Sequence, residues 1–246
     1  MYDPIGNSKQ KTIDSVQFCD AEPPIHLSGI IHRFLDIKTE HPLPSEYRFH
    51  ALPDVCTYAV FDQLNPNVTG MAKLSASSEE MNLGHMFHFT NIRFLPGVWQ
   101  GGNENVKRGM VSDPYKGDML LVELNKNLIG KSFEEKQAVL VRFVDQLLEQ
   151  RVVIANPVTQ SIFLQLENIH SVADMANAAN LSARQLQRTL KRTTGFTPHD
   201  FLKVLRLQQS LLGEPSLSYA DQSHFIHSFK KATGYTPSKF SKKFDV

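Results

Sequence analysis

The chain has 246 residues, enough for one large domain or two modest ones and for a sizeable buried core. A hydrophobic fraction of 41%, with 13 glycines besides, matches ordinary globular domains and excludes a chain disordered throughout. The net charge of +1 hides an asymmetry: residues 155–246 hold 11 Lys and Arg against 6 Asp and Glu, and residues 1–154 hold 15 against 19.

In chain order, the first fifteen residues, MYDPIGNSKQKTIDS, lack the apolar core of a secretory signal. No later run approaches the roughly 18 apolar residues of a membrane span, so a cytoplasmic protein without a membrane partner is expected. The two cysteines, Cys19 and Cys56, cannot form a disulfide framework or a four-thiolate zinc site, and read as reduced thiols. From Ile30 to about Val122 the texture is short and β-rich: IIHRFLDIK, YRFHALP, DVCTYAVF and HMFHFTNIRF. Turn signals separate these runs: HPLP at 41–44, LPD at 52–54, NPN at 65–67, PGVWQGGN at 96–103 and DPYKGD at 113–118. A barrel or a sandwich is the expectation. Within it, His50 and Cys56 read as a polar rim histidine and a buried thiol. His85 and His88, three apart in an expected strand, place their rings on opposite faces and make a poor metal pair. Trp99 among Gly97, Gly101 and Gly102 reads as a packed indole, and GVWQGG lacks the Lys and Ser/Thr of a phosphate loop.

After Gly130 the pattern becomes helical. Ser132 and Glu135 form a capping-box signature, and Leu140, Phe143, Val144, Leu147 and Leu148 make one stripe of a 3.6-residue period. Asn156-Pro157 gives a second helix start, with Val158, Ile162, Leu166 and Ile169 on one face. The most informative feature is a phrase written twice. Thr194-Gly-Phe-Thr-Pro-His-Asp-Phe201 and Thr233-Gly-Tyr-Thr-Pro-Ser-Lys-Phe240 are offset by 39 residues. In each, Gly ends a helix in a left-handed turn, the aromatic residue packs back, Thr caps the next helix and Pro takes its first turn. Upstream at the same offset, Leu186 matches Phe225, Leu190 matches Phe229, and Lys191-Arg192 match Lys230-Lys231.

In the first copy, a short helix capped by Ser171 and a second helix capped by Ser182 with Gln185 flank Ala179-Asn180-Leu181, a helix-turn-helix. Arg184, Gln187, Arg188 and Lys191 face away from Leu186 and Leu190. That face suits a major groove, because Arg is bidentate to guanine, Gln to adenine, and Lys reaches phosphate. The segment from about Ile169 to Phe240, about 72 of 246 residues, resembles the DNA-binding domain of the AraC/XylS family of bacterial transcription regulators. LSARQLQRTLKRTTGFTPHDF and DQSHF…SFKKATGYTPSKF are similar to its two signature stretches. PDVC at 53–56 and RFLPG at 93–97 resemble, more faintly, the N-terminal half of a subgroup whose sensory domain has no settled activity.

The resemblance implies two helix-turn-helix units that enter successive grooves of double-stranded DNA. It assigns DNA contacts to Ser182, Arg184, Gln185, Gln187, Arg188 and Lys191 in the first unit, and to Gln222, Ser223, His227 and Lys230 in the second. The second set, with Ile226 where the first has Gln187, reads bases poorly. Gly213 and Pro215 interrupt the stretch that should hold the second unit's first helix, at ~1 and ~3 kcal/mol in a helix interior. That unit is therefore expected to be abbreviated, and a homodimer pairing two first units is expected to compensate. The resulting organisation is α+β: residues 1–130 a β-rich barrel or sandwich for regulation, ligand binding or dimerisation, 131–154 a linker helix, and 155–246 the DNA-binding domain. RNA polymerase and a small-molecule effector are the further partners implied, with no cofactor and no metal. Two other readings compete: an adaptor whose helical half binds another regulator or polymerase, and a barrel-type enzyme in residues 1–125. No nucleophile and base at a recognisable spacing support the enzyme.

Overall fold

The computed structural model of the chain describes residues 7–10, 15–101, 106–211 and 222–245. Among the described residues, the first half holds nine strands: β1 Asn7–Gln10, β2 Val16–Ala21, β3 Ile31–Thr39, β4 Tyr47–Ala51, β5 Thr57–Asp62, β6 Thr69–Lys73, β7 Glu79–Gly84, β8 His88–Phe94 and β9 Val106–Arg108. The helices follow: α1 Leu121–Leu128, α2 Phe133–Glu149, α3 Pro157–Leu164, α4 Val172–Ala178, α5 Ala183–Thr193, α6 Pro198–Leu211, α7 Gln222–Thr233 and α8 Pro237–Lys243. A final strand, β10 Phe244–Asp245, closes the described chain.

Among the described residues, the strands form two open sheets and no closed barrel, so the sandwich is the form the first half takes. The larger sheet runs β2-β3-β8-β5-β6-β9 and the smaller β10-β1-β4-β7. Pairing is antiparallel except for β6 with β9. Alternation along the strands sorts the two faces of the larger sheet. Phe34, Ala59, Phe61, Ile92 and Phe94 pack with Leu121, Leu128, Leu140, Val144 and Leu147 of α1 and α2. The opposite residues, among them Leu35, Ile37, Phe89 and Val60, face the smaller sheet across a cavity. The α2 stripe and the Ser132–Glu135 capping box lie as the spacing predicts. One α2 residue breaks its pattern: Lys136 is 1% exposed, with Nζ 3.0 Å from Asp36 Oδ1 and 3.0 Å from Thr90 Oγ1.

Several elements differ from expectation. β7 reads EEMNLG, a run too polar to resemble a strand, and it forms because β4 offers it a paired edge. His85 lies ahead of β8 rather than in it. Its Nδ1 is 2.9 Å from the Leu43 carbonyl, whereas His88 Nε2 is 3.0 Å from Asp36 Oδ2, so the two rings serve separate contacts. His50 and Cys56 also part company. His50 stacks on Phe244 at 5.1 Å, and Cys56 is buried among residues of α3 to α6. Trp99 is buried against Phe94, and a side chain at Gly101 would collide with its ring at 2.5 Å. β10, from the last residues of the helical half, pairs with β1 of the first half. Among the described residues, no helix is long and apolar enough to cross a membrane.

Candidate nucleic-acid interface

The first helix-turn-helix is α4, the turn at 179–181 and α5. The Ser171 side chain accepts the Asp174 amide at 3.1 Å and starts α4. Asn180, at φ 52, makes the turn in the left-handed region that asparagine tolerates better than most residues. α5 opens with a reciprocal capping box: Gln185 N donates to Ser182 Oγ at 3.3 Å, and Ser182 N donates to Gln185 Oε1 at 2.9 Å. Ser182 and Gln185 therefore hold the helix start, although both are exposed. Leu186 and Leu190 are fully buried against Met175, Ala176, Phe196 and Phe201, which fixes the rotation of α5.

That rotation leaves Arg184, Gln187, Arg188 and Lys191 exposed. At 3.6 residues per turn they fall within an arc of about 100° opposite the two leucines. Among the described residues, the side chains of Arg184, Gln187 and Arg188 have no hydrogen bond or ion pair. Lys191 Nζ donates to the Gly195 carbonyl at 3.3 Å, where the helix dipole favours a cation. α5, α7 and α8 together carry nine Lys and Arg and no Asp or Glu, a composition that favours phosphate.

The repeated phrase has one hydrogen-bond pattern in both copies. Thr194 Oγ1 donates to the Leu190 carbonyl at 2.7 Å and accepts the Phe196 amide at 3.1 Å. Thr233 Oγ1 does the same with Phe229 at 2.8 Å and Tyr235 at 3.2 Å. Gly195 and Gly234 then turn at φ 80 and 81. The copies part at the next helix. Thr197 accepts the Asp200 amide at 3.2 Å and donates to its carboxylate at 2.8 Å, whereas Thr236 makes no side-chain cap. The expectation that Thr caps both helices fails in the second copy, where Lys239 stands at the position of Asp200 and offers no acceptor.

In the second copy, α7 is a full helix of 12 residues that presents Gln222, Ser223, Ile226, His227 and Lys230 to solvent. The stretch with Gly213 and Pro215, on which the expectation of an abbreviated unit rests, lies outside the described residues.

Sequence reasoning missed how tightly the first half grips both units. The segment 51–57 is buried throughout. Leu52 packs with Leu207, Phe229, Phe240 and Phe244, while Val55 and Cys56 enter the core of the first unit. Gln208 Nε2 of α6 donates to the Pro53 carbonyl at 2.7 Å between them. Asp54 organises the segment: it accepts the Cys56 amide at 2.5 Å and the Tyr58 hydroxyl at 2.5 Å, with Arg93 Nη1 at 3.6 Å. Burial, then the Asp54 charge, pushes both the Cys56 thiol and the Tyr58 phenol well above their usual ranges. RFLPG meets the helices as well, for Pro96 O accepts from Thr159 Oγ1 at 2.8 Å and Gly97 O from Asn156 Nδ2 at 3.1 Å. Gly97 is required there: it sits at φ 78, and a Cβ would lie 2.3 Å from Asn156 Nδ2. Lys73 donates to the Thr194 carbonyl at 3.3 Å, and burial, then the Arg108 charge, lowers its ammonium to about 8. The two motifs that resembled a sensory half are thus among the segments that touch the helices, a role that spacing alone did not signal.

No family model matches the chain. Among curated proteins it is 28% identical over 163 residues to the uncharacterized HTH-type transcriptional regulator YidL of Escherichia coli (strain K12), covering 56% of this chain and 55% of that one. It is 28% identical over 95 residues to the HTH-type transcriptional regulator MtrA of Neisseria gonorrhoeae, covering 34% and 32%. It is 25% identical over 153 residues to the HTH-type transcriptional regulator RipA of Corynebacterium diphtheriae, covering 57% and 45%. The matches span about half or less of those relatives' lengths. Among solved structures, apo ToxT of Vibrio cholerae aligns over 94% of this chain and 97% of its own, at 11% identity and a TM-score of 0.41. That likeness is too distant to build on.

Proposed function

We infer that this chain, a relative of helix-turn-helix transcriptional regulators and similar to the AraC/XylS family, is a sequence-specific DNA-binding transcription regulator that seats α5 in the major groove. The observation that carries the reading is the exposed arc of Arg184, Gln187, Arg188 and Lys191, set by a capped helix whose other side is locked into a core. In this reading Arg184, Gln187 and Arg188 meet base edges, and Lys191 and Lys230 hold phosphate. Ser182 and Gln185 position the helix start. Gln222, Ser223 and His227 of α7 add little base reading. Residues 1–130 regulate, 131–154 link and 155–246 bind DNA, acting in the cytoplasm with RNA polymerase as partner. Two first units pair in a homodimer on one operator. We take the cavity of about 440 Å³ between the sheets as the effector site.

Fluorescence anisotropy on a small set of duplexes of different sequence, across a salt series, tests the division of roles. Lys191→Ala should weaken binding to all sequences alike and reduce the salt slope by about 1, whereas Arg188→Ala should depend on sequence. Equal behaviour of the two variants would remove α5 from the groove.

A further inference from the structure

We propose that the two connectors that cross between the sheets of the first half, 52–56 and 74–78, act as a gauge that sets the separation of α5 and α7, with Lys73 and Ser78 as positioning residues. The inference deepens the regulator reading, on which it rests: it names what places Lys230 of α7 on phosphate while α5 reads bases.

The gauge follows from the strand register. Connector 52–56 leaves β4 of the smaller sheet at Ala51 and enters β5 of the larger sheet at Thr57. Connector 74–78 makes the reverse crossing, from Lys73 of β6 to Glu79 of β7. Their ends are paired in both sheets, Ala51 with Glu79 and Thr57 with Lys73. Two segments of five residues each therefore run side by side from sheet to sheet, with both ends fixed by backbone ladders.

Each end of this frame holds a different unit. At the larger-sheet end, Val55 and Cys56 are buried in the core of the first unit, Ala76 packs against it, and Lys73 Nζ donates to the Thr194 carbonyl at 3.3 Å. At the smaller-sheet end, Leu52 is buried with Phe229 and Phe240 in the core of the second unit. There the Ser78 amide donates to the Ala232 carbonyl at 2.7 Å. Thr194 is the C-cap of α5, and Ala232 lies in the last turn of α7, one residue before Thr233, the repeat partner of Thr194.

The last carbonyls of a helix have no partner within it, and a cation or an N–H is favoured there. The first half thus supplies one donor to each helix end, at nearly the same point of the repeat. A helix held by its C-terminal end keeps its N-terminal turns for the groove. Among the described residues, the two units have separate cores, spanned by α6 with Phe201 and Leu205 in the first and Leu207 in the second. Gln208 of α6 donates to the Pro53 carbonyl inside a connector at 2.7 Å. Helix α6 and the connectors brace the same gap from two sides, so the span between the sheets fixes the span between the two helices.

Spin-label distances in the full chain test the gauge without DNA. Labels sit at Ala183→Cys on α5 and Lys231→Cys on α7, both exposed, in a Cys19→Ser background. The unaltered connectors should give one narrow distance. Ser78→Pro removes the amide donor and should widen the distribution about twofold, whereas Ser78→Ala keeps the donor and should not. Lys73→Met should widen it and Lys73→Arg restore it, which keeps the test decisive if the proline variant fails to fold. A broad distance in the unaltered chain, or one unmoved by both Ser78→Pro and Lys73→Met, would overturn the proposal. Duplex binding adds a readout that general loss of stability does not mimic. Lys230→Ala should lower the salt slope by about 1 with Ser78 or Ala at position 78, and by far less beside Ser78→Pro, while the motif selected by α5 stays the same. Loss of that motif together with the slope would also overturn it, because both helices would then fail as one. Widened distances with no motif enriched by any form sink the regulator reading alone; a clear motif with unmoved distances sinks the gauge alone.

Discussion

Lys136→Met is the substitution whose cost follows most directly from the geometry. Lys136 is buried, and its ammonium lies 3.0 Å from Asp36 and 3.0 Å from Thr90. Methionine fills a similar volume, so packing is nearly preserved and the loss is that of the pair. Breaking a buried pair by removing one partner costs about 3–5 kcal/mol, because the other charge stays buried. Here the lower end applies, since Asp36 keeps two polar neighbours, His88 with Nε2 at 3.0 Å and Thr90 with Oγ1 at 2.6 Å. For a chain of this size about 3 kcal/mol corresponds to a melting shift of roughly 6–12 °C. Differential scanning calorimetry at neutral pH measures it. Replacing both partners, Asp36→Asn with Lys136→Met, should recover at least half of the loss, because no uncompensated charge remains. The pH profile gives an independent check. Burial pushes the Asp36 carboxyl up, but hydrogen bonds from His88, Thr90 and Lys136 outweigh it and hold the group at about 2, against an ordinary 3.8. A depressed carboxylate stabilises the fold above 3.8, and that contribution is lost as pH falls toward 2. The single variant should lose much of this acid dependence. A melting shift under about 2 °C, or a double variant no more stable than the single, would show that the pair does not hold α2 on the sheet.

Other outcomes follow from the same contacts. His227→Ala should change duplex affinity far less than Arg188→Ala, measured by gel shift on one operator; equal losses would make α7 a base reader in its own right. Burial and the nearby Lys243 lower the His50 imidazole below 6.5. The neutral ring therefore favours the fold above 6.5, and stability should drop as pH falls below that value, a dependence that His50→Phe should flatten in a thermal series. Ellman's reagent should titrate one thiol in the native chain, Cys19, and a second only in denaturant, because Cys56 is buried and its thiol is held protonated. Rapid labelling of both would mean that segment 51–57 opens freely.

What the sequence disclosed was local chemistry. Ser132 with Glu135 and Ser182 with Gln185 announced helix starts because a capping box is complete within four residues. The phrase at 194–201 and 233–240 announced its turns because Thr donates to the carbonyl four residues back and accepts the amide of the aromatic residue two on, with Gly turning between them, all within one helix end. The face of α5 was legible for the same reason, as two leucines fix its rotation. Long-range pairing was not. Nothing in EEMNLG at 79–84 marks a strand until β4 lies beside it, and nothing in Phe244–Asp245 marks a partner for β1. Lys136 interrupts an otherwise regular stripe as a polar residue facing inward, and its partners lie 46 to 100 residues away. Asp54 and Arg93 stood out only as parts of PDVC and RFLPG; that they meet each other, and join the cavity to the helices, depends on the sheet register.

The central claim is base reading by α5, and selection of bound duplexes from a random pool addresses it most directly. The full chain, Gln187→Ala and Arg188→Ala are each carried through the same selection at one salt concentration. The account predicts a defined motif for the unaltered chain, with each variant relaxing preference at one or two base pairs and losing about 1–3 kcal/mol per bidentate contact there. No enriched motif, or a motif unchanged in both variants while every sequence weakens equally, would contradict it and leave α5 with phosphate contact alone.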